Sequence, residues 1–377
     1  MQPGPIAPAA RALGPDLARG FMLLFIALAN THYFLRAPSV LGGYPQDGTA
    51  LDRATIWLLS TFVDGRAFPM FGLLFGYGVA QIARRHPTGT RTLLWRRSAV
   101  LIVVGLLDAL LFYVGDILAA YGVLLLVGAF LIRWSDRWLL LIALLFFVIC
   151  ALPTADASTI SAALPDPAML PPDLPTMLTS RLPAALVVAG LGPIGFLCPF
   201  AVGLWAGRRP ILERPVLLRS VAALGITAAV VGAQPIALLL AGVTTRPGAG
   251  TLSLLGALHS ATGTLGGFGY AALVALIARR LSPQHAVVAA IAATGQRSMT
   301  CYLLQSVCWA LLFTPFLLDL AGTLSVTATA AVAAVTWVGT VLAADWMRRR
   351  GERGPFERLI RNVTYGRAAR TPAPTSS

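Results

Sequence analysis

The chain has 377 residues, of which 57% are hydrophobic and only 12% charged, and its mean hydropathy is +0.76. A soluble domain carries about 25% charged residues, so the composition excludes a string of water-soluble domains and points to one integral membrane domain. The net charge is +14 and every basic residue is arginine; these arginines sit in short clusters between apolar runs, a topological pattern, and no nucleic-acid partner is expected.

The start of the chain lacks the charged, apolar and small-residue pattern of a cleaved leader. The first apolar run, from Phe21 to Leu35, therefore reads as an uncleaved first helix over 17–35. Asp16 and Arg19 flank its start, and their i, i+3 spacing puts them on one face. Asn30 and His32 lie near its outer end; His32 reads either as a catalytic group or as an interface residue in water. The second helix is expected at 64–83. It begins in Asp64-Gly65-Arg66, followed by Pro69, a bent end at which Asp64 and Arg66 clamp a polar group or neutralise each other.

Helices three and four form a hairpin, 98–114 and 117–132, turning at Val114-Gly115-Asp116. Each arm is short for a hydrocarbon core of ~30 Å. The turn is therefore expected below the outer surface, in a recess lined by protein, because irregular backbone is not tolerated against lipid. Asp116 would sit at its tip. Asp108 falls near mid-span, where an ionisable group costs at least ~2.5 kcal/mol and so faces a partner or a cavity.

Helix five is expected at 138–154, followed by a loop rich in Pro and Asp, 155–182, on the outer side. Helices six, seven and eight are expected at 183–206, 216–241 and 254–278, the last carrying His259 in its outer half. A small-residue helix, 286–294, is expected at the interface. Helix nine, 297–318, starts beside Gln296 and Arg297; Arg297 reads either as a phosphate contact from the cytoplasmic side or as an anchor. Helix ten is expected at 323–345.

The fold class is thus all-α: a polytopic membrane protein of ten transmembrane helices with cytoplasmic N- and C-termini. Residues 1–346 form the helical domain and 347–377 a basic cytoplasmic tail. Arginines bear this out loop by loop. The outer segments hold only Arg36, Arg53, Arg181 and Arg246, while clusters such as Arg84 to Arg97, Arg208 to Arg219 and the tail fall inside.

Glycines in the spans, as in Gly72-x-x-x-Gly76-x-Gly78 and Gly263 to Gly269, are expected to let helices approach closely. The second run is not a phosphate loop, since no strand precedes it and no lysine follows. Cys150, Cys198, Cys301 and Cys308 lack metal or disulfide-framework spacing. His32 and His259 are far apart in sequence without Cys or Glu partners, so no metal or redox cofactor is expected. His32, Asp64, Asp116 and His259 fall near one level, which predicts a single outward-facing cavity.

Five stretches then carry a family resemblance. They are Asp16-x-x-Arg19-Gly20-Phe21; Gly65-Arg-Ala-Phe68 leading into Phe71 to Gly78; Gly105 to Tyr121, ending in Gly115-Asp-Ile-Leu-Ala-Ala-Tyr121; Thr300-Cys-Tyr-Leu-Leu-Gln305; and Gly354-Pro-Phe-Glu357 with Thr364-Tyr-Gly366. Together they resemble the bacterial YeiB-like membrane proteins, the family called domain of unknown function 418, from about residue 11 to 367. Asp108 stands where that family often has His. Arg297 lies one residue late in the family's G-R-x-x-x-T-N-Y pattern, and Cys301 replaces its Asn.

The family is in turn similar to transmembrane acyltransferases, including the heparan glucosaminide acetyltransferases. That similarity implies a multi-pass protein of the bacterial plasma membrane. It also implies a cytoplasmic acyl donor, acetyl-CoA or another acyl-CoA, and a small-molecule or glycan acceptor at the outer face. In that reading His32 or His259 is the general base or acyl carrier, Asp64, Asp108 or Asp116 orients it, and Arg19 or Arg297 holds the donor's phosphates. Two other readings stay open. One is a transporter or exporter of a small amphipathic molecule, with Asp108 and Asp116 carrying a coupling proton; the other is a structural or regulatory membrane component.

Overall fold

The computed structural model describes residues 13–155 and 157–365. Arg11, Gly366 and the final TPAPTSS lie outside the described residues. The fold is all-α apart from one short antiparallel hairpin, β1 (Val40–Leu41) with β2 (Tyr44–Pro45). The helices are α1 (Leu13–Thr31), α2 (Ala50–Phe62), α3 (Ala67–Arg85), α4 (Thr90–Leu111), α5 (Leu118–Leu131), α6 (Asp136–Cys150) and α7 (Leu174–Gly207). They continue as α8 (Pro215–Leu240), α9 (Ala249–Ala278), α10 (Ala286–Gln296), α11 (Ser298–Phe313), α12 (Val326–Arg349) and α13 (Pro355–Tyr365).

Six helical stretches among the described residues are long and apolar enough to cross a membrane: Leu13–Phe34, Ala50–Arg85, Leu174–Gly207, Pro215–Leu240, Ala249–Ala278 and Val326–Arg349. The second of these is broken at Val63–Arg66 into α2 and α3. Several apolar side chains of α6, including Leu141, Leu144 and Leu145, are exposed, as expected of a face turned to lipid rather than water.

Expected and observed helices differ where hydropathy and hydrogen bonding part company. Residues 50–62 read as loop but form α2. Its start is fixed by a capping box, in which the Thr49 hydroxyl accepts from the Asp52 N–H and the Asp52 carboxylate accepts from the Thr49 N–H. The other Asp52 oxygen accepts from the Thr327 N–H at 2.9 Å, so one carboxylate caps both α2 and α12. Helix α4 starts at Thr90 rather than 98, because helical bonding continues through Arg91, Arg96 and Arg97 after the apolar run has ended. At 22 residues it is roughly 33 Å long and not short for a bilayer; α5, with 14 residues, is.

Helix α7 starts at Leu174, capped by Asp173, and takes up the end of the expected 155–182 loop. The small-residue helix expected at 286–294 forms α10. It packs on α1 and α12 with Ile291 to Gly295 buried. The tail also contains α13, which docks on α4 and α11.

Helix α1 is the hub, touching α3, α9, α10, α11 and α12. Its contact with α10 depends on small residues from both sides: a Cβ on Gly295 would overlap the Asp16 carbonyl, and one on Gly20 would overlap the Ile291 carbonyl. Parallel α3 and α7 meet the same way, since a Cβ on Gly76 would overlap the Phe200 carbonyl and one on Gly203 that of Leu73. The glycines of α9 pack it against α8 and the start of α3, as Gly269 does at Gly225 and Gly263 at Gly65. The glycine-rich runs are thus packing seams.

Gly76→Ala is expected to destabilise the protein by about 1–3 kcal/mol, because the α3–α7 backbones must move apart. Gly190→Ala and Gly339→Ala, where nothing lies within 4 Å of the added carbon, are expected to be neutral or mildly stabilising. Thermal unfolding in detergent compares the three.

Candidate functional site

The site forms where α3 begins. Gly65, at φ +74°, takes the left-handed conformation that lets the chain turn between α2 and α3. This turn points Asp64 and Arg66 into the protein. Arg66 is wholly buried, and its guanidinium donates to the Asp64 carbonyl, to the Ala229 carbonyl of α8 at 2.8 Å and to His259 Nε2 of α9 at 2.8 Å. Asp64 and Arg66 therefore do not neutralise each other carboxylate to guanidinium by hydrogen bond. The Asp64 carboxylate instead accepts from the Tyr44 hydroxyl at 2.7 Å through Oδ2, and its Oδ1 is buried without a hydrogen-bond partner.

The segment after α1 supplies the other wall. Tyr44 stands on the β hairpin and stacks face to face on His32, with ring centres 3.9 Å apart; Tyr33 packs on the same imidazole in a tilted arrangement at 4.2 Å. Gly43 makes room there, since a Cβ would overlap the Tyr33 ring. His32 is 2% exposed. It thus backs the residue that holds Asp64.

A cavity of about 250 Å³ lies against this group, lined by Asp64, Gly65, His259 and Ser260, by Tyr33, and by Ser158 and Thr159 of the following loop. Asp64 and His259, expected at one level from the sequence, line it together. His32 and Asp116 do not line it. His259 is 1% exposed and its Nδ1 has no hydrogen-bond partner.

A second polar group lies around the α4–α5 turn. Asp108 and Asp116 are both buried and lie within interaction range of each other, and Asp108 also of Ser306 on α11 and of Arg181 on α7. Asp116 Oδ2 accepts from the Ala119 N–H at 3.1 Å and so caps α5. The Tyr302 hydroxyl approaches the same turn, at 3.4 Å from the Ile117 nitrogen. Arg181, which the sequence reading placed in an outer loop, is 1% exposed and donates from Nε to the Ala168 carbonyl at 2.9 Å. Tyr113 lies within electrostatic range of Tyr33 and of Asp108 and Asp116.

The remaining candidates lie at the far end of α1. Asp16 pairs with Arg19 at 3.5 Å and accepts from Gln296 Nε2 at 3.0 Å, so the i, i+3 pair expected from the sequence forms. Arg19 also donates to the Leu74 carbonyl. Arg297 breaks the chain between α10 and α11, and its guanidinium donates to the Ala293 and Glu352 carbonyls. Both guanidiniums thus have protein oxygens as partners. Glu357 of α13 completes this corner. It accepts from the Met299 and Thr300 N–H groups and from the Thr300 hydroxyl, closing the start of α11.

Tyr33, Tyr44 and Arg181 were missed by the sequence reading. Tyr33 and Tyr44 sit in a segment with no helical periodicity, and Arg181 looked like one of several loop arginines.

These features define an all-α membrane protein with several apolar helices and two buried polar groups. Residues 206–367 match the family model described as "Protein of unknown function (DUF418)". That segment is similar to the family that the chain's sequence motifs resemble. The chain is also 29% identical over 147 residues to "Uncharacterized protein YxaH" of Bacillus subtilis (strain 168), a match covering 37% of this chain and 37% of that protein. The chain therefore spans well under half of that relative's length.

Replacing Glu357 by Ala removes three hydrogen bonds from the start of α11 and is expected to cost about 1–3 kcal/mol. Limited trypsin digestion should then cut after Arg353 and Arg358 faster than in the wild type.

Proposed function

We propose that this is a ten-span membrane protein of the bacterial plasma membrane that transfers an acyl group to a hydroxyl acceptor at its outer face. The spans are α1, α3 to α9, α11 and α12, with both termini on the cytoplasmic side. The observation that carries the reading is the cavity between α3 and α9, lined by Asp64 and His259, each of which keeps one buried polar atom without a hydrogen-bond partner among the described residues. A carboxylate and an imidazole at hydrogen-bonding reach of one small cavity are the groups that proton transfer to and from an acceptor requires.

The donor is an acyl-CoA supplied from the cytoplasm. In this reading its phosphates meet the exposed Arg84 and Arg85 at the end of α3 and Arg96 in α4. The acyl chemistry belongs to the donor; the protein's part is to hold the acceptor and to move its proton.

A second reading, proton-coupled transport, is favoured by the Asp108–Asp116 pair. Two buried carboxyls within electrostatic range of each other repel when both are charged, and protonation of one relieves this.

Cysteine accessibility tests the ten-span layout: Thr88→Cys and Glu352→Cys should label from the same side of the membrane, and Pro247→Cys from the opposite side. Labelling of the first two from opposite sides would overturn it. For the activity, membrane vesicles with the cytoplasmic face outward are given labelled acetyl-CoA and cell-envelope glycans. Transfer of label that falls at least 100-fold in Asp64→Asn supports acyl transfer. Neither transfer nor CoA binding, together with a proton flux that Asp108→Asn abolishes, would favour the transport reading instead.

A further inference from the structure

The hydrogen bonds around His259 determine which of its nitrogens carries the proton. Arg66 sits 2.8 Å from His259 Nε2, and a guanidinium has only N–H groups to offer. Nε2 must therefore present its lone pair. The same nitrogen lies 3.2 Å from the Ser60 carbonyl, but a proton directed there would leave the Arg66 N–H facing an N–H. The neutral ring accordingly carries its proton on Nδ1, the nitrogen with no partner in the protein. Nδ1 faces Gly65, where even a Cβ would come to 3.5 Å, and both residues line the cavity.

Asp64 Oδ1 has the opposite character. Its sister oxygen is held by the Tyr44 hydroxyl, and Oδ1 remains as a buried acceptor on the same cavity. Two residues of the cavity wall thus bring one donor and one acceptor to it, and Tyr33, Ser158, Thr159 and Ser260 line it beside them. A ligand that satisfies both must accept and donate at once. A hydroxyl group does so with a single oxygen, whereas a carboxylate or phosphate would be repelled by Asp64.

We infer that the cavity is a binding site for the hydroxyl group of a neutral polyol or sugar, held between His259 Nδ1–H and Asp64 Oδ1, with Arg66 as the positioning residue that sets the His259 tautomer. At about 250 Å³ the cavity falls below the roughly 300–1,000 Å³ of drug-sized sites; it admits a small polyol or one end group of a larger glycan.

This inference deepens the acyl-transfer reading and exchanges the roles expected of its two groups. With its lone pair committed to Arg66, His259 is a hydrogen-bond donor and Asp64 is the base. The acceptor oxygen bonds to the acyl carbon of the thioester while its proton passes to Asp64 Oδ1. The carbon–sulfur bond breaks, and the departing thiolate takes up that proton, leaving the ester and the free thiol.

The test uses the full chain, labelled with ¹⁵N-histidine, in lipid nanodiscs. The sequence has four histidines, and loss of one signal in His259→Asn assigns the fourth. The expected spectrum at pH 7 shows a protonated Nδ1 and an unprotonated Nε2; a proton on Nε2 would overturn the inference. Glycerol, added as the probe, should shift the Nδ1 resonance, and sodium acetate should not. In Asp64→Asn, glycerol affinity should fall roughly 10- to 100-fold, the worth of a hydrogen bond to a charged group. The amide's NH₂ then joins Nδ1–H as a second donor, so acetate should become the better ligand. Equal response to glycerol and acetate in the wild type, or an unchanged preference in the variant, would also overturn it.

Because none of these readouts involves acetyl-CoA, the two readings fail separately. The expected tautomer and glycerol response without acyl transfer would leave this site standing and remove the proposed reaction. Acyl transfer by a protein whose His259 is protonated on Nε2 would do the reverse.

Discussion

A guanidinium buried away from water has to be answered by protein oxygen or nitrogen atoms, because leaving it bare costs several kcal/mol. Arg66 is answered from three directions: the turn before α3, the α8 backbone and the α9 imidazole. This one side chain ties together segments far apart in sequence and orients a histidine. The carbonyls it uses lie in the interior of the bundle. Ala229 can be approached there because small residues line the seam, Gly266 of α9 lying close to both Ala229 and the Arg66 stem.

The same economy runs through the rest of the molecule. Helices in an apolar medium gain little from hiding apolar surface and hold together by close packing and polar contacts. Glycines bring backbones together at α1–α10, α3–α7 and α8–α9. Carboxylates then serve as double-ended caps, Asp52 between α2 and α12 and Glu357 between α13 and α11. Each satisfies backbone N–H groups that lipid cannot. The polar residues of the spans are therefore divided between structural caps and anchors, such as Asp52, Arg297 and Glu357, and groups left unanswered, such as Asp64 Oδ1 and His259 Nδ1. Asp64 and His259 line one cavity together.

Much of this was legible in the chain itself. Hydropathy and arginine spacing located the apolar helices to within a few residues over most of the length, since burial in lipid demands long uncharged runs. They failed at α2 and at the first turns of α4 and α7, where helical bonding runs beyond the apolar stretch. The ionisable residues worth examining were also evident, because charge inside an apolar run is rare and costly.

The sequence by itself therefore determined that the chain is an all-α membrane protein and that Asp64 and His259 belong to one level of it; both follow from one-dimensional patterns of hydropathy and charge. Only the tertiary structure decided that these two share a cavity while His32 stands behind Tyr44, and that Asp108 and Asp116 form a separate group. Only it decided, too, that Arg66 claims the lone pair of His259. These are matters of which helix lies beside which and of a few ångströms in direction. Helix periodicity leaves them open, because every apolar face can pack against several others.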